Sequence, residues 1–258
     1  MIQSVERAAL ILKELGSDSG RLGVTELSDR LGLAKATIYG LLRALEAHQM
    51  VEQDPETGKY RLGPALLQLG NAFLDNNELR ARSLLWAENL ATRAQEAVLV
   101  GVLYGSNVLV VHHVFRPDNS VQLLEVGAAI PWHACALGKA IVAFLEPAAQ
   151  SEALAAERPK LTGKTLVEAR ALKAELGRVR RDSLATEDQE TIVGDAGLAA
   201  PVFDDGGNVV GAIGVTGPVE RLLPEKEPPP AAQLVREAAR ALSRELGAGR
   251  LAGSRSGT

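Results

Sequence analysis

One cysteine in 258 residues, Cys135, rules out an internal disulfide and points to a reducing compartment. No charged leader followed by an apolar core opens the chain, and no apolar run approaches the length of a membrane span. These absences predict a soluble, cytoplasmic protein with no membrane partner. A surplus of positive charge is missing too. The formal net charge is −4 and the pI near 5.7, and residues 1–63 carry eight Lys/Arg against nine Asp/Glu. Strong non-specific nucleic-acid binders are basic overall, which argues against a histone-like or sliding protein. The chain also lacks a phosphate loop, a metal-ligand spacing and a nucleophile elbow. No cofactor, metal or catalytic residue is expected.

What the chain does have is length and apolar content. With 46% hydrophobic residues it can bury two modest cores, so two domains are expected. The stretch Val24 to Arg43, VTELSDRLGLAKATIYGLLR, reads as a helix-turn-helix. Leu27, Leu31, Ile38, Leu41 and Leu42 recur at helical spacing, with Thr25 as N-cap candidate and Gly32 at the sharp turn. The second helix, from about Lys35 to Ala47, turns Lys35, Ala36, Thr37, Tyr39, Gly40 and Arg43 away from the core. Small, hydroxyl and basic groups at a helix N-terminus suit entry into a DNA major groove, although a helical hairpin with a solvated face would show the same pattern.

The following residues favour DNA. Met50–Gln53 and Lys59–Gly63 are short extended runs around a Pro/Gly turn, which predicts a hairpin, and a hairpin after a recognition helix is a wing. Lys59 and Arg61 then share one face, where phosphates could be met, while Tyr60 and Leu62 point inward. Upstream, Ser4 is expected to cap a helix that buries Ala8, Leu10, Ile11, Leu12 and Leu15. The predicted DNA-facing set is Thr25, Lys35, Ala36, Thr37, Tyr39, Gly40, Arg43, Lys59 and Arg61.

Residues 64–74 continue as a linker helix whose stripe of Leu66, Leu69, Phe73 and Leu74 could pair with a second subunit or pack on the neighbouring domain. A helix over 78–93 is expected to turn Leu79, Leu84, Leu85, Trp86 and Leu90 inward. From Ala97 the periodicity becomes that of strands: a hairpin of 97–103 with 108–115, a third strand at Val121–Val126, and a second hairpin of 197–203 with 209–216. Helices are expected over 136–145, 168–181 and 231–246. Antiparallel strands with helices give an α+β sensor-like domain. The predicted boundaries are 1–63 for the winged helix-turn-helix, 64–77 for the linker, 78–247 for the effector domain and 248–258 for a flexible tail.

Four groups of residues invite sharper readings. His133 and Cys135 could form a nucleophilic pair, but no Asn or Asp sits beside them, and a partly buried pocket wall is the plainer account. His112 and His113 face opposite sides of a strand and so cannot share one ion. Arg116 nearby could contact a phosphate. Glu187, Asp188, Glu190 and Asp195 could form an acid/base cluster or a solvated loop.

Taken in order, SVERAALIL, GLAKATIYGLLRAL, KYRLG, HACALGKAIVAFL and GLAAPVFDDGGNVVGAIGVTGP resemble the IclR family of bacterial transcription regulators over nearly the whole chain. Gly40 departs from the family, many of whose members carry Arg there. GKYRLG, NELRARSLLW and VLVVHHVFRPDNSVQLLEVG are most similar to the branch that governs glycerol catabolism. The resemblance implies a repressor acting as a homodimer or dimer of dimers on a palindromic operator. It also implies a GAF-like effector domain, with contacts falling on Ala136, Leu137, Glu187, Asp195, Gly197, Gly214 and Thr216. The expected effector is anionic, glycerol 3-phosphate or a small organic acid, held at the helix start near Ala136 with Arg116 as a charged contact. An enzyme carrying an accessory DNA-binding module is the alternative.

Overall fold

Ile11, Leu15, Leu27, Ile38, Leu42 and Tyr60 meet in a small core, gathered by three helices and a hairpin. These belong to a computed structural model that describes residues 2–16, 20–118, 120, 122–224 and 229–248. The chain divides between Asn76 and Asn77 into two units. In the first, α1 (Gln3–Leu15), α2 (Val24–Leu31) and α3 (Lys35–Ala47) precede β1 (Val51–Gln53), β2 (Tyr60–Leu62) and α4 (Pro64–Asp75). Gly32 ends α2 at φ +63°, a left-handed conformation that glycine enters without a Cβ penalty. Ser28 fixes the turn from both sides, its Oγ donating to Leu33 O and its carbonyl accepting from Leu33 N. The hairpin is tied back by Leu22, which exchanges two main-chain hydrogen bonds with Tyr60.

Several local expectations change in this unit. Ile2, not Ser4, is the N-cap residue of α1, so Ser4 lies in the first turn. Thr25 lies inside α2, whose N-cap is Gly23; the helix supplies its own cap, Glu26 Oε2 accepting from Gly23 N at 2.7 Å. Tyr60 is 1% exposed as expected, but Leu62 is 38% exposed because β2 ends there and the chain turns into α4. Leu10 is also exposed, on the outer side of α1. No residue of α4 is buried, and Leu69 and Phe73 of its stripe stand half exposed.

The second unit opens with α5 (Glu78–Ala94), capped by Asn77, whose side chain accepts from Arg80 N. Its buried positions are Leu79, Ser83, Ala87, Leu90 and Ala91, a true helical stripe. Leu84 and Leu85 are exposed, which corrects their inward assignment, and Trp86 is half-buried. There follow β3 (Ala97–Tyr104), β4 (Asn107–Val114), β5 (Ala129–Pro131), a 3-10 turn (Trp132–Ala134), α6 (Ala136–Val142), α7 (Pro147–Ala155) and α8 (Ala169–Asp182). Then come β6 (Ala185–Asp188), β7 (Asp195–Phe203), β8 (Val209–Pro218), α9 (Val219–Leu222) and α10 (Ala232–Glu245). Six strands form one antiparallel sheet in the order β5-β4-β3-β8-β7-β6. Side chains of α6 and α8 join Leu99, Ala199 and Ala212 in a core on one face, while α5 and α10 pack on each other and on the sheet.

Residues 122–126 form a loop, not the expected third strand, and Val121 lies outside the described residues. The Gln122 side chain bonds both main-chain groups of Arg116, holding the segment as a loop, and Gly127 at φ +90° turns it into β5. Helix α6 stops at Val142, short of Leu145, where Arg180 takes the carbonyls of Ala143 and Leu145. Helices α7 and α9 and the edge strand β6 are additions to the expected elements. The tail from residue 249 lies outside the described residues.

Candidate nucleic-acid interface and ligand cavity

The outer side of α3 is where the small core leaves off. Ile38, Leu42 and Leu45 are buried, and the positions between them come to the surface. Lys35, Ala36, Tyr39, Gly40 and Arg43 are exposed, Thr37 is half-buried, and Thr25 is exposed on α2. Lys35 and Arg43 make no ion pair among the described residues. A Cβ on Gly40 would meet nothing within 4 Å, so its smallness is not required by packing. The two wing cations differ from the helix cations, because each is held: Lys59 by Glu26 at 3.1 Å and Arg61 by Glu52 at 2.9 Å. The Gly23 N–H and Lys59 together keep the Glu26 carboxyl below the usual carboxylate range. Such exposed pairs are weakly held and can exchange a carboxylate for a phosphate.

In the second unit a cavity of about 90 Å³ lies between the sheet and the start of α6. Strand register builds its floor. Glu187, Gly197 and Thr216 stand side by side across β6, β7 and β8, and Ala199, Gly214 and Leu99 form the next rung. Asp195 closes one end, and Ala136 and Leu137 supply the wall from α6. Seven of the eight residues singled out from the sequence for an effector thus line one cavity. The eighth, Arg116, does not; its guanidinium is taken by Asp118, by Ser120 Oγ at 2.7 Å and by the buried Glu96 at 3.9 Å. Gly138 does not line the cavity either. Its missing side chain lets α6 pack on the Trp132 main chain, since a Cβ there would fall 2.2 Å from Trp132 O. Gly214 is similarly fixed, with Leu198 O at 2.4 Å from a built Cβ. Gly197 has room: a Cβ there would meet Ala136 Cβ and Val215 O at 3.5 Å and Glu187 Oε2 at 3.6 Å, ordinary contact distances.

The cavity is acidic. Glu125, Glu187 and Asp195 line it, and no Lys, Arg or His is among its described lining residues. Glu187 is 5% exposed, and burial pushes its carboxyl up to about 7, against the opposing pull of the Thr191 and Glu190 N–H groups. Burial and the facing Asp195 also raise Glu125. The nearest cation, Lys139, is fully buried in α6 and spent: its Nζ donates to Thr186 O at 2.8 Å and pairs with Glu190. The helix start offers an anion little. Helix α6 has seven residues, and Cys135 Sγ already accepts from Gly138 N. Of the two supports expected for an anion near Ala136, the basic side chain points elsewhere, and the helix start is short with one of its N–H groups, that of Gly138, already taken.

The remaining sequence candidates resolve as parts of the fold. His133 Nε2 meets Pro159 O at 3.0 Å, and burial pushes the Cys135 thiol up to about 12, the opposite of an activated nucleophile. His113 Nδ1 accepts from Glu125 N, and burial lowers both His112 and His113. No group of three metal-ligating side chains is present among the described residues. Glu187 and Glu190 are buried and not in a solvated loop, whereas Asp188 is at the surface with Lys164. Sequence reading missed Glu125 as cavity lining, since only tertiary folding brings its loop to β7. It also missed the Lys139–Glu190 pair, for which the signal was one lysine in the apolar run HACALGKAIVAFL.

Comparison with known proteins assigns this geometry to a family. The C-terminal model of the bacterial transcriptional regulator IclR matches residues 71–244, and the IclR helix-turn-helix model matches residues 4–55. The chain belongs to the IclR family. It is therefore a transcriptional regulator with an N-terminal helix-turn-helix and a C-terminal α/β unit, as the motifs led one to expect, and the enzyme alternative gains no support. It is 52% identical to the glycerol operon regulatory protein of Streptomyces griseus, over 96% of this chain and 98% of that one. The protein of the same name from Streptomyces coelicolor is 48% identical over the same shares. Among solved structures, an IclR regulator from Silicibacter sp. superposes with a TM-score of 0.79 at 26% identity, covering 95% of this chain and 97% of that one. An IclR homologue from Microbacterium hydrocarbonoxydans, complexed with 4-hydroxybenzoate, shares the fold at a TM-score of 0.78 and 22% identity, with 94% and 98% covered. No helix of the described residues is long and apolar enough to cross a membrane.

Proposed function

We propose that this IclR regulator represses a glycerol catabolic operon. It binds a palindromic operator as a homodimer, or a dimer of dimers, and lets go when a small molecule of glycerol catabolism, glycerol included, fills the cavity. The observation that carries the reading is the identity of 52% along 96% of the chain with a glycerol operon regulatory protein. In this reading Lys35, Thr37 and Arg43 face base edges, with Thr25, Ala36, Tyr39 and Gly40 shaping the approach of α3, while Lys59 and Arg61 take phosphates. The exposure of Lys35 and Arg43, neither of which makes an ion pair among the described residues, supports this division. A dimer is needed because one such unit makes too few contacts for operator affinity. The exposed apolar residues of α4 supply a surface for it. The ligand acts by favouring a state in which the paired reading units are wrongly spaced for the half-sites.

The test is fluorescence anisotropy of the full chain on DNA upstream of a glycerol catabolic operon. Binding should show a two-fold footprint with half-sites about one helical turn apart, and affinity far above that for random DNA. Equal affinity for random DNA would sink the proposal.

A further inference from the structure

The cavity's chemistry allows the ligand class to be narrowed, and this step rests on the regulatory reading only for the choice of glycerol as the first probe. We propose that the cavity takes an uncharged polyhydroxylated ligand the size of a short-chain polyol, and discriminates against its phosphorylated form. Glu187 sets the cavity's hydrogen-bonding character. Its Oε1 accepts the main-chain N–H groups of Glu190 and Thr191. Its Oε2, in a side chain 5% exposed, has no partner among the described residues and stands 3.6 Å from where a Cβ of Gly197 would project. This oxygen is open to the cavity and has no protein donor, so it is free to accept a hydrogen bond from what the cavity receives. Asp195 and Glu125 add two further carboxyl groups to the same space.

Carboxylates accept hydrogen bonds, so the matching ligand must donate them. A hydroxyl does, and it can accept as well. That suits Glu187, whose carboxyl, raised to about 7 by burial, passes between donor and acceptor states near neutral pH. The Thr216 hydroxyl, which donates to Ala196 O at 3.3 Å, leaves an acceptor site for a ligand hydroxyl on the next strand. A phosphate meets the opposite conditions. It would enter a space with three carboxyl-bearing side chains and no lining cation. Lys139 cannot turn to it without abandoning Glu190 and Thr186, and Arg116 is held by Asp118, Ser120 and Glu96 outside the cavity. Like charges in a space poor in water repel more strongly than in solution.

Calorimetry of the full chain with glycerol, erythritol, glycerol 3-phosphate and acetate tests the proposal. A neutral polyol is expected to bind at least about 100-fold more tightly than glycerol 3-phosphate, a difference of the size two misplaced charges produce. Asp195→Asn should narrow that ratio by about tenfold, and Gly197→Val, which fills the free space beside Ala136, should abolish polyol binding. Both variants must keep the far-UV signal and sedimentation of the parent. Glu187→Gln, nearly isosteric, should weaken the polyol without admitting acetate. Tighter binding of glycerol 3-phosphate or acetate than of either polyol overturns the proposal, as does binding of none of the four. Failure to bind glycerol-operon DNA, with polyol selectivity intact, refutes the regulatory reading alone.

Discussion

Two glutamates, one in each unit, show how differently the halves of this protein use charge. Glu26 and Glu187 both accept main-chain N–H bonds. At Glu26, in solvent beside Lys59, those bonds prevail and the carboxyl falls below its usual range. At Glu187 burial prevails and raises it to about 7. The same chemical group with similar partners is shifted in opposite directions, and loss of water around the carboxyl decides which way. In the first unit, ion pairs lie on the surface and can be exchanged for phosphates. In the second, Lys139, Glu190 and Glu187 are locked inside and set what the cavity accepts.

The comparison breaks most visibly at the lysines. Lys139→Ala leaves the Glu190 charge buried and unpaired and should cost about 3–5 kcal/mol in urea unfolding of the full chain. Lys59→Ala removes an exposed partner and should leave unfolding unchanged within error. Equal losses would erase the distinction between the units.

A pH series on Glu187→Gln sharpens it further. The unfolded chain ionises this carboxyl near 4.5 and the folded one near 7. Between those values the folded state holds the extra proton, so the parent loses stability as pH rises through that window. Groups facing Glu187 are Glu190 in the following loop, Lys139 and Cys135 at α6, and Asp195 and Glu125 across the cavity. The amide cannot ionise, so the variant should match the parent near pH 4 and exceed it at pH 8 by up to about 3 kcal/mol. A parallel pair of curves would contradict the burial assigned to Glu187.

Within the first unit the effects are smaller. Arg43→Ala or Thr37→Ala should reduce discrimination between operator and random DNA by about 1–3 kcal/mol. Lys59→Ala or Arg61→Ala should weaken binding to all DNA and lower the salt slope by about one unit. Loss of discrimination from both sets alike would mean that α3 and the wing do not divide the work.

The two units were also unequally legible in the sequence. The helix-turn-helix and wing carry their signals locally: Gly32, the periodic leucines and the turn at 54–58 all act within a few residues of the structure they set. The errors at Ser4, Thr25 and Leu62 are of a residue or two at element ends, where backbone and side-chain caps compete, and Leu10 was placed on the wrong side of α1. The sheet hairpins were equally local. The cavity was different. Its positions came from family resemblance, because Glu187, Gly197 and Thr216 meet only through cross-strand register. Its charge was misjudged because the destination of Arg116 and the approach of Glu125 depend on a loop that reads as a strand. Edge strand β6 escaped notice for a related reason, since a four-residue polar strand has no periodicity to display.

Release from DNA by a cavity ligand requires coupling between the acidic cavity and the DNA-reading surface. Calorimetry of the full chain with glycerol, repeated with saturating operator DNA, measures that coupling directly. Operator should weaken glycerol binding by the same factor, on the order of 5–150-fold, by which glycerol weakens operator binding in anisotropy. Identical glycerol affinity with and without operator would contradict the account.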